Sequence, residues 1–355
     1  MPPSSSARRH EDVAAPFEGL PPSLTEGVPR RRPLRLGMIN NPLSGQNSRR
    51  GLLDRVRALL TAHPRVAHFE ENSFDGMGHA VEELLRSETE LIIVNGGDGT
   101  VQAVLTALLR SPLPASLPLL AVLPGGSTNT TARNVGYGRR PLRALQHLLD
   151  EAARGVLAGT VEQRAVLRVD ADAEPQYAML FGAGAVYHGI AFARREVESR
   201  GLRGQLGAGV AVATFLSHVV AGNGGQLFPP LHAEIRVDGQ PVLEPEPYFG
   251  ILTSTINRQV LGISPYWGVG PGRLRFSSLS YAPRRLPRAI VPMLRGRPSV
   301  HLRPELGYRS VNADEVCLTF DSGYTLDGEL FKPTNNTARL TLSARQHAYF
   351  LRERR

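Results

Sequence analysis

Lysine is all but missing from this chain: of 41 basic residues, only Lys332 is a lysine. A G-x-x-x-x-G-K-[ST] phosphate loop therefore cannot occur in the first half of the sequence, and the protein-kinase pairing of a strand lysine with H-R-D is absent too. No G-x-G-x-x-G follows the first predicted strand, which argues against a dinucleotide-dependent dehydrogenase. Cys317 is the only cysteine, so an intrachain disulfide and a cysteine-rich metal site are excluded and a reducing compartment is expected. It lies in the strand-like run Val316 to Phe320 and reads as core filler. The ten histidines show no metal-ligand spacing; His63 and His68 are five apart, and there is no H-E-x-x-H. Long apolar runs are also lacking. Leu206 to Gly222 is interrupted by glycines, Ser217 and His218, and the N-terminus has no signal-peptide core. The expectation is a cytoplasmic protein without a transmembrane span.

What is present is globular composition: 355 residues, 41% apolar and 21% charged, enough for two domains with real cores. A formal charge of +9 favours anionic partners such as nucleotides, acidic membrane surfaces or nucleic acid without choosing among them. Residues 1–33, rich in Pro, Ser and Arg, predict a disordered tail.

From Leu34 the pattern alternates. Leu34 to Ile39 and Val66 to Phe69 predict strands, while Leu52, Leu53, Val56, Leu59 and Leu60, and then Ala80, Val81, Leu84 and Leu85, predict helical faces. Leu91 to Val94 is a buried strand leading into Gly96-Gly97-Asp98-Gly99-Thr100, followed by a helix with Val101, Val104, Leu105 and Leu108. Leu119 to Leu123 is a further strand, and Pro141 opens a helix. This βαβα order over residues 34–157 implies a parallel sheet covered on both sides. After residue 158, short alternating runs dominate: Val161 to Val169, Tyr177 to Phe181, Ala233 to Val237 and Arg273 to Ser277, with Asp238-Gly239 as a tight hairpin turn. A strand-rich second domain follows, with one helical interruption from Tyr187 to about Ala221.

Ligands of parallel sheets collect at the carboxyl ends of the strands. The three loops there are Asn40-Asn41-Pro42-Leu43-Ser44-Gly45, Gly96 to Thr100, and Pro124-Gly125-Gly126-Ser127-Thr128-Asn129. All are polar, small and glycine-bearing, as a phosphate cradle of amides and hydroxyls requires.

These motifs, in this order and with the late Leu326-Asp327-Gly328-Glu329, resemble the diacylglycerol kinase, sphingosine kinase and ceramide kinase superfamily over roughly residues 34–350. The resemblance implies an α/β plus β fold of the NAD kinase/diacylglycerol kinase-like type. Residues 34–157 would form the ATP-binding domain and residues 158–325 a β-sandwich for the lipid, with residues 326–355 returning to the cleft. It implies ATP and Mg²⁺ as cofactors and transfer of the γ-phosphoryl group to a lipid hydroxyl. Asn41, Ser44 and Gly45, then Gly96, Gly97, Asp98, Gly99 and Thr100, and finally Gly126, Ser127 and Asn129 would line the ATP site. Asp98 would handle Mg-ATP, and Asp327 or Glu329 would be the general base. The implied partners are a lipid substrate and an anionic membrane surface touched peripherally, with a homodimer as the candidate assembly and no nucleic acid.

Departures from the family pattern stand out. Family members continue the glycine turn with a hydrophobe, Asn and Glu; here Val101, Gln102 and Ala103 follow, so a carboxylate is missing. Gly126-Ser127-Thr128 is closer to sphingosine and ceramide kinases than to bacterial diacylglycerol kinases. Pro265 is followed by Tyr266-Trp267-Gly268-Val269-Gly270-Pro271-Gly272, without the Asp-Asp-Gly that holds a structural Mg²⁺ in bacterial relatives. Gly182 to Tyr187 and the run from Val210 to Val220 are candidates for an acyl-chain wall, and Arg284 to Arg297 for a contact with anionic lipid. An NAD kinase remains an alternative, opposed by the absence of any Asn-Glu or Asn-Asp pair; a binding protein without catalysis is the third.

Overall fold

Strand and helix alternate through the first lobe as β1 (Leu36–Asn40), α1 (Leu52–Thr61), β2 (Ala67–Glu70), α2 (Phe74–Arg86), β3 (Leu91–Gly96), α3 (Asp98–Arg110), β4 (Leu119–Pro124), α4 (Thr130–Val135) and α5 (Pro141–Ala153). The computed structural model describes residues 33–353 except 49–50, 113–116, 139, 158, 172–173, 201–227, 242–245, 257–262 and 334–335. The tail before residue 33 and the apolar run Val210 to Val220 thus lie outside the described residues.

β1 pairs in parallel with β2 and β3, and β3 with β4. The sheet is covered on both faces, which explains why β3 is apolar at consecutive positions rather than alternating. Ile92 and Val94 pack with Val81 and Leu84 of α2 and Val104 and Leu105 of α3. Leu91 and Ile93 face the other way, onto Val56 and Leu60 of α1 and Leu145, Leu148 and Leu149 of α5. The order β2-β1-β3-β4 reverses direction at β1 and β3, and the polar loops open at that switch point.

The second lobe is built from β6 (Leu167–Asp170), β7 (Gln176–Ala178), β8 (Leu180–Gly184), α6 (Ala185–Arg200), β9 (Leu231–Val237), β10 (Gln240–Pro241), β11 (Glu246–Ser254), β12 (Leu274–Ser280), α7 (Leu286–Leu294), β13 (Tyr308–Ala313), β14 (Glu315–Phe320), β15 (Tyr324–Leu326), β16 (Glu329–Phe331) and β17 (Ala338–Ser343). Before it comes β5 (Thr160–Ala165), and after it β18 (His347–Arg352). Among the described residues, the expected sandwich is one curled antiparallel sheet of twelve strands, closed around a core that includes Phe181, Phe276, Phe320 and Leu326. Asp238-Gly239 turns β9 into β10, both residues at positive φ, as that dipeptide requires.

Two features correct the sequence-based boundaries. The run Val161 to Val169 is not one strand: β5 belongs to the first sheet and β6 to the second, so the chain leaves the first sheet at Val166 rather than at residue 158. β18 returns to the first sheet, parallel to β4 and antiparallel to β5, and the N–H of Val166 donates to the carbonyl of Gln346 at this double crossing. A second tie is α3 itself. Thr106 Oγ1 donates to the Tyr177 carbonyl at 3.1 Å and accepts its N–H at 3.0 Å, while Gln102 bonds Gln176 and Arg110 the Pro175 carbonyl. Residues 102, 106 and 110 recur every four along α3, so one helix face docks on β7.

Candidate active site

The three loops are held together by buried amides. Asn95 Nδ2 donates to Asn40 Oδ1, and Asn47 Nδ2 donates to the carbonyls of Asn41 and Asn95, fixing the first loop over the end of β3. Asn41 Nδ2 reaches Thr100 Oγ1 at 3.0 Å. Gly45 packs on Ser127 and Gly126 on the Cα of Gly97, approaches that leave no room for a Cβ at either position. Asn41, Ser44, Gly97, Asp98, Gly99, Thr100, Gly126 and Ser127 consequently line one cavity. Gly45, Gly96 and Asn129, expected in the same lining, do not line it; they lie behind Ser127, Thr100 and Gly126, which do. Asn129, at φ 53°, uses its side chain to accept the N–H and donate to the carbonyl of Gly126, closing the third loop on itself.

Asp98 has a partner the sequence did not disclose. Its Oδ2 accepts the N–H of Thr130 at 3.0 Å and its Oδ1 that of Thr131 at 2.7 Å, so it caps α4 from the start of α3. Burial pushes its carboxyl above the usual range, and these two N–H groups pull it back.

Across the cavity, Asp327-Gly328 forms the turn between β15 and β16, with φ of 49° and 92°. Both carboxylate oxygens of Asp327 lie within 3.1 Å of the Met179 N–H. Burial drives its carboxyl well above the ordinary carboxylate range; the Met179 N–H opposes this, and the neighbouring Asp98 charge adds to it. Glu329 is bound by Arg194 of α6 at 2.9 Å, and the same guanidinium bonds the Gly328 carbonyl at 2.8 Å. Arg194 was not singled out in the sequence, where nothing distinguishes it from the many other arginines.

The cavity encloses about 1020 Å³ and continues past the hairpin into an apolar half. Ala185, Val186 and Ile190 wall it on one side, and Phe249, Trp267 and Ile290 on another. Of the stretch Gly182 to Tyr187, Ala185 and Val186 line this half. The Pro265 to Gly272 loop lies on β13, Ser310 accepting the N–H of Trp267 and Gly268, and turns Trp267 toward the cavity. Among the described residues, no group of three or more His, Cys, Asp or Glu side chains is placed to hold a metal. Asp98 and Asp327 are the two aspartates on the wall of the cavity. The glycine cradle and hydroxyls fit triphosphate oxygens.

A two-lobed α/β plus β protein with a glycine- and hydroxyl-lined cleft opening into an apolar pocket is the class this fold and site define. Residues 35–161 match the diacylglycerol kinase catalytic domain. Stretches of the chain are 39% identical over 89 residues to "Probable lipid kinase YegS-like" of Pseudomonas aeruginosa (25% of this chain, 28% of the relative). They are 36% identical over 129 residues to the diacylglycerol kinase of Bacillus subtilis (36% and 42%), and 36% over 101 residues to the mitochondrial acylglycerol kinase of Xenopus laevis (28% and 23%). Each match spans less than half of the relative. The whole fold is similar to a crystal structure of a diacylglycerol kinase from Bacillus anthracis, with TM-score 0.56 and 15% identity, covering 90% of this chain and 98% of that one.

Proposed function

We propose that this chain is an ATP-dependent lipid kinase that transfers the γ-phosphoryl group of ATP to the primary hydroxyl of a membrane lipid: diacylglycerol, ceramide or a sphingoid base. The observation that carries the reading is the single cavity, a glycine and hydroxyl cradle at one end and an apolar pocket at the other, with the Asp327 to Glu329 hairpin at the junction. An NAD kinase has no use for the apolar half.

Phosphoryl transfer needs positioning and charge neutralisation more than covalent help. In this reading, backbone N–H groups of the loops and the hydroxyls of Ser44, Ser127 and Thr128 hold the phosphates, with Asp98 the carboxylate beside them. Mg²⁺ bound to the nucleotide would neutralise developing charge. The acyl chains lie in the apolar half and bring the hydroxyl to the hairpin. Its oxygen bonds to the γ-phosphorus as the bond from that phosphorus to the β–γ bridging oxygen breaks, releasing ADP, and its proton passes to Asp327. Of the two carboxylates, Asp327 is the better base: burial raises its basicity, whereas Glu329 is tied to Arg194 and positions the hairpin.

The test is incubation of purified protein with γ-labelled ATP, Mg²⁺ and mixed micelles of each lipid, in parallel with NAD. Label in a lipid is expected. Label in NAD alone, or in no acceptor, overturns the reading.

A further inference from the structure

An acyl-chain pocket has to be loaded from a bilayer, and no helix among the described residues is long and apolar enough to cross one. The pocket must therefore come to the membrane, and one of its walls carries a run of positive charge. α7 turns Leu286, Ile290, Met293 and Leu294 toward the cavity and buries Ala289 completely. Its other face carries exposed Arg288 and Arg295, with Val291 53% exposed between them at helical spacing. Exposed Arg284 and Arg285 precede the helix and exposed Arg297 follows it; no acidic residue occurs from Arg284 to Arg297.

Several arginines elsewhere are held by carboxylates. Arg57 pairs with Asp54 and Glu70, Arg86 with Glu82 and Glu83, Arg110 with Glu174, Arg168 with Asp170, and Arg352 with Glu162. Among the described residues, none of the five arginines around α7 has a carboxylate partner within ion-pair distance. What sets the helix that walls the lipid pocket apart is the run itself: five exposed arginines within fourteen residues and no acidic residue among them.

We infer that α7 is the membrane-docking element of this protein, its outer face lying on an anionic phospholipid bilayer with Val291 toward the acyl boundary while its inner face receives the lipid. The charge complementarity selects acidic headgroups, and the two-faced helix places the pocket mouth at the surface it binds. The inference deepens the lipid-kinase reading and rests on it for the direction of lipid entry; the docking itself is measurable without turnover.

The test is co-sedimentation with vesicles of phosphatidylcholine alone and of phosphatidylcholine containing about one third phosphatidylserine, at low and high salt. The wild-type chain is expected to bind the acidic vesicles, with binding lost at high salt. A variant with all five arginines changed to glutamine is expected to partition at least about a hundredfold less, since each basic residue near the surface contributes severalfold. The corresponding five-lysine variant, which keeps the charge, should retain most binding and rules out misfolding as the cause. Val291→Asp should weaken binding to the acidic vesicles at low salt. Equal binding by wild type and the glutamine variant, no binding by wild type, or tighter binding to duplex DNA than to acidic vesicles at equal phosphate each overturns the proposal. Activity on lipid in neutral detergent micelles separates the two readings: the glutamine variant should turn over there at the wild-type rate, and no turnover by either chain would refute the kinase assignment while leaving the vesicle result standing.

Discussion

Glu329 lies over Gly99 so closely that a Cβ on the glycine would stand 2.5 Å from Oε1 and 3.0 Å from Cγ and Cδ. The first turn of α3 and the hairpin of the second lobe meet at this point, and Arg194 fixes the meeting from a third side. Gly99→Ala should move Glu329 without harming the fold. Alanine is the better helix former by about 0.5–1 kcal/mol, and the displaced atoms are the end of a flexible side chain. The expected outcome is an unchanged or higher melting temperature with a roughly tenfold lower turnover, about 1.4 kcal/mol of transition-state stabilisation. Thermal unfolding and kcat measured on the same sample check it.

Asp327 gives an unusual pH dependence. Its folded-state pKa is raised well above 3.8, so the folded protein holds this proton more tightly than the unfolded chain does. Its contribution to stability is full below pH 3.8 and is lost as pH rises through the folded-state value. Asp327→Asn removes that loss. Asparagine also tolerates the positive φ and still offers one oxygen to Met179. The variant should melt at or above the wild-type temperature at neutral pH, with a flatter profile above pH 4, yet turn over at least about a hundredfold more slowly if Asp327 takes the proton. In the wild type, the acidic limb of kcat should sit above the range of an ordinary carboxylate, because the base works only when ionised.

Asp98→Asn should fail for a different reason. An amide presents one oxygen and one NH₂ group to two backbone N–H donors, so either Thr130 or Thr131 loses its acceptor. Loss of such a cap costs about 0.5–2 kcal/mol, and the third glycine loop hangs from the α4 it caps. A lower melting temperature together with a turnover loss of at least about a hundredfold is expected. A variant that melts normally yet loses activity would place Asp98 on the nucleotide alone.

Local patterns carried most of the first lobe and the identity of the loops. Leu91 to Val94 announces a strand covered on both faces, and Ala348 to Leu351 carries the same signal for β18, whose residues split between the two clusters flanking the sheet. Partnerships across long separations had no such mark. Val166 is apolar between apolar neighbours, so nothing local shows that the chain changes sheets there. The Asp98 cap on α4, the Arg194 grip on Glu329 and the docking of Thr106 on Tyr177 each join residues whose types are common and whose meeting is decided by the fold. Asn95, a polar residue closing an apolar strand, was the one visible hint of the amide clamp.

Gly126 offers the sharpest separation of the two halves of the cavity. A Cβ there would collide with the Cα of Gly97, so backbone meets backbone and no rotamer change can relieve the contact. Gly126→Ala must therefore push the second and third loops apart, widening the cradle that nucleotide phosphates would fill. The apolar half, walled by α6, α7 and the second sheet, is not touched by that shift. The expected result is a KM for ATP raised at least about tenfold, equivalent to about 1.4 kcal/mol of lost binding, with the KM for lipid unchanged. Titration with a non-hydrolysable ATP analogue would show the same loss without catalysis. An unchanged nucleotide affinity would mean that these loops do not hold the phosphates.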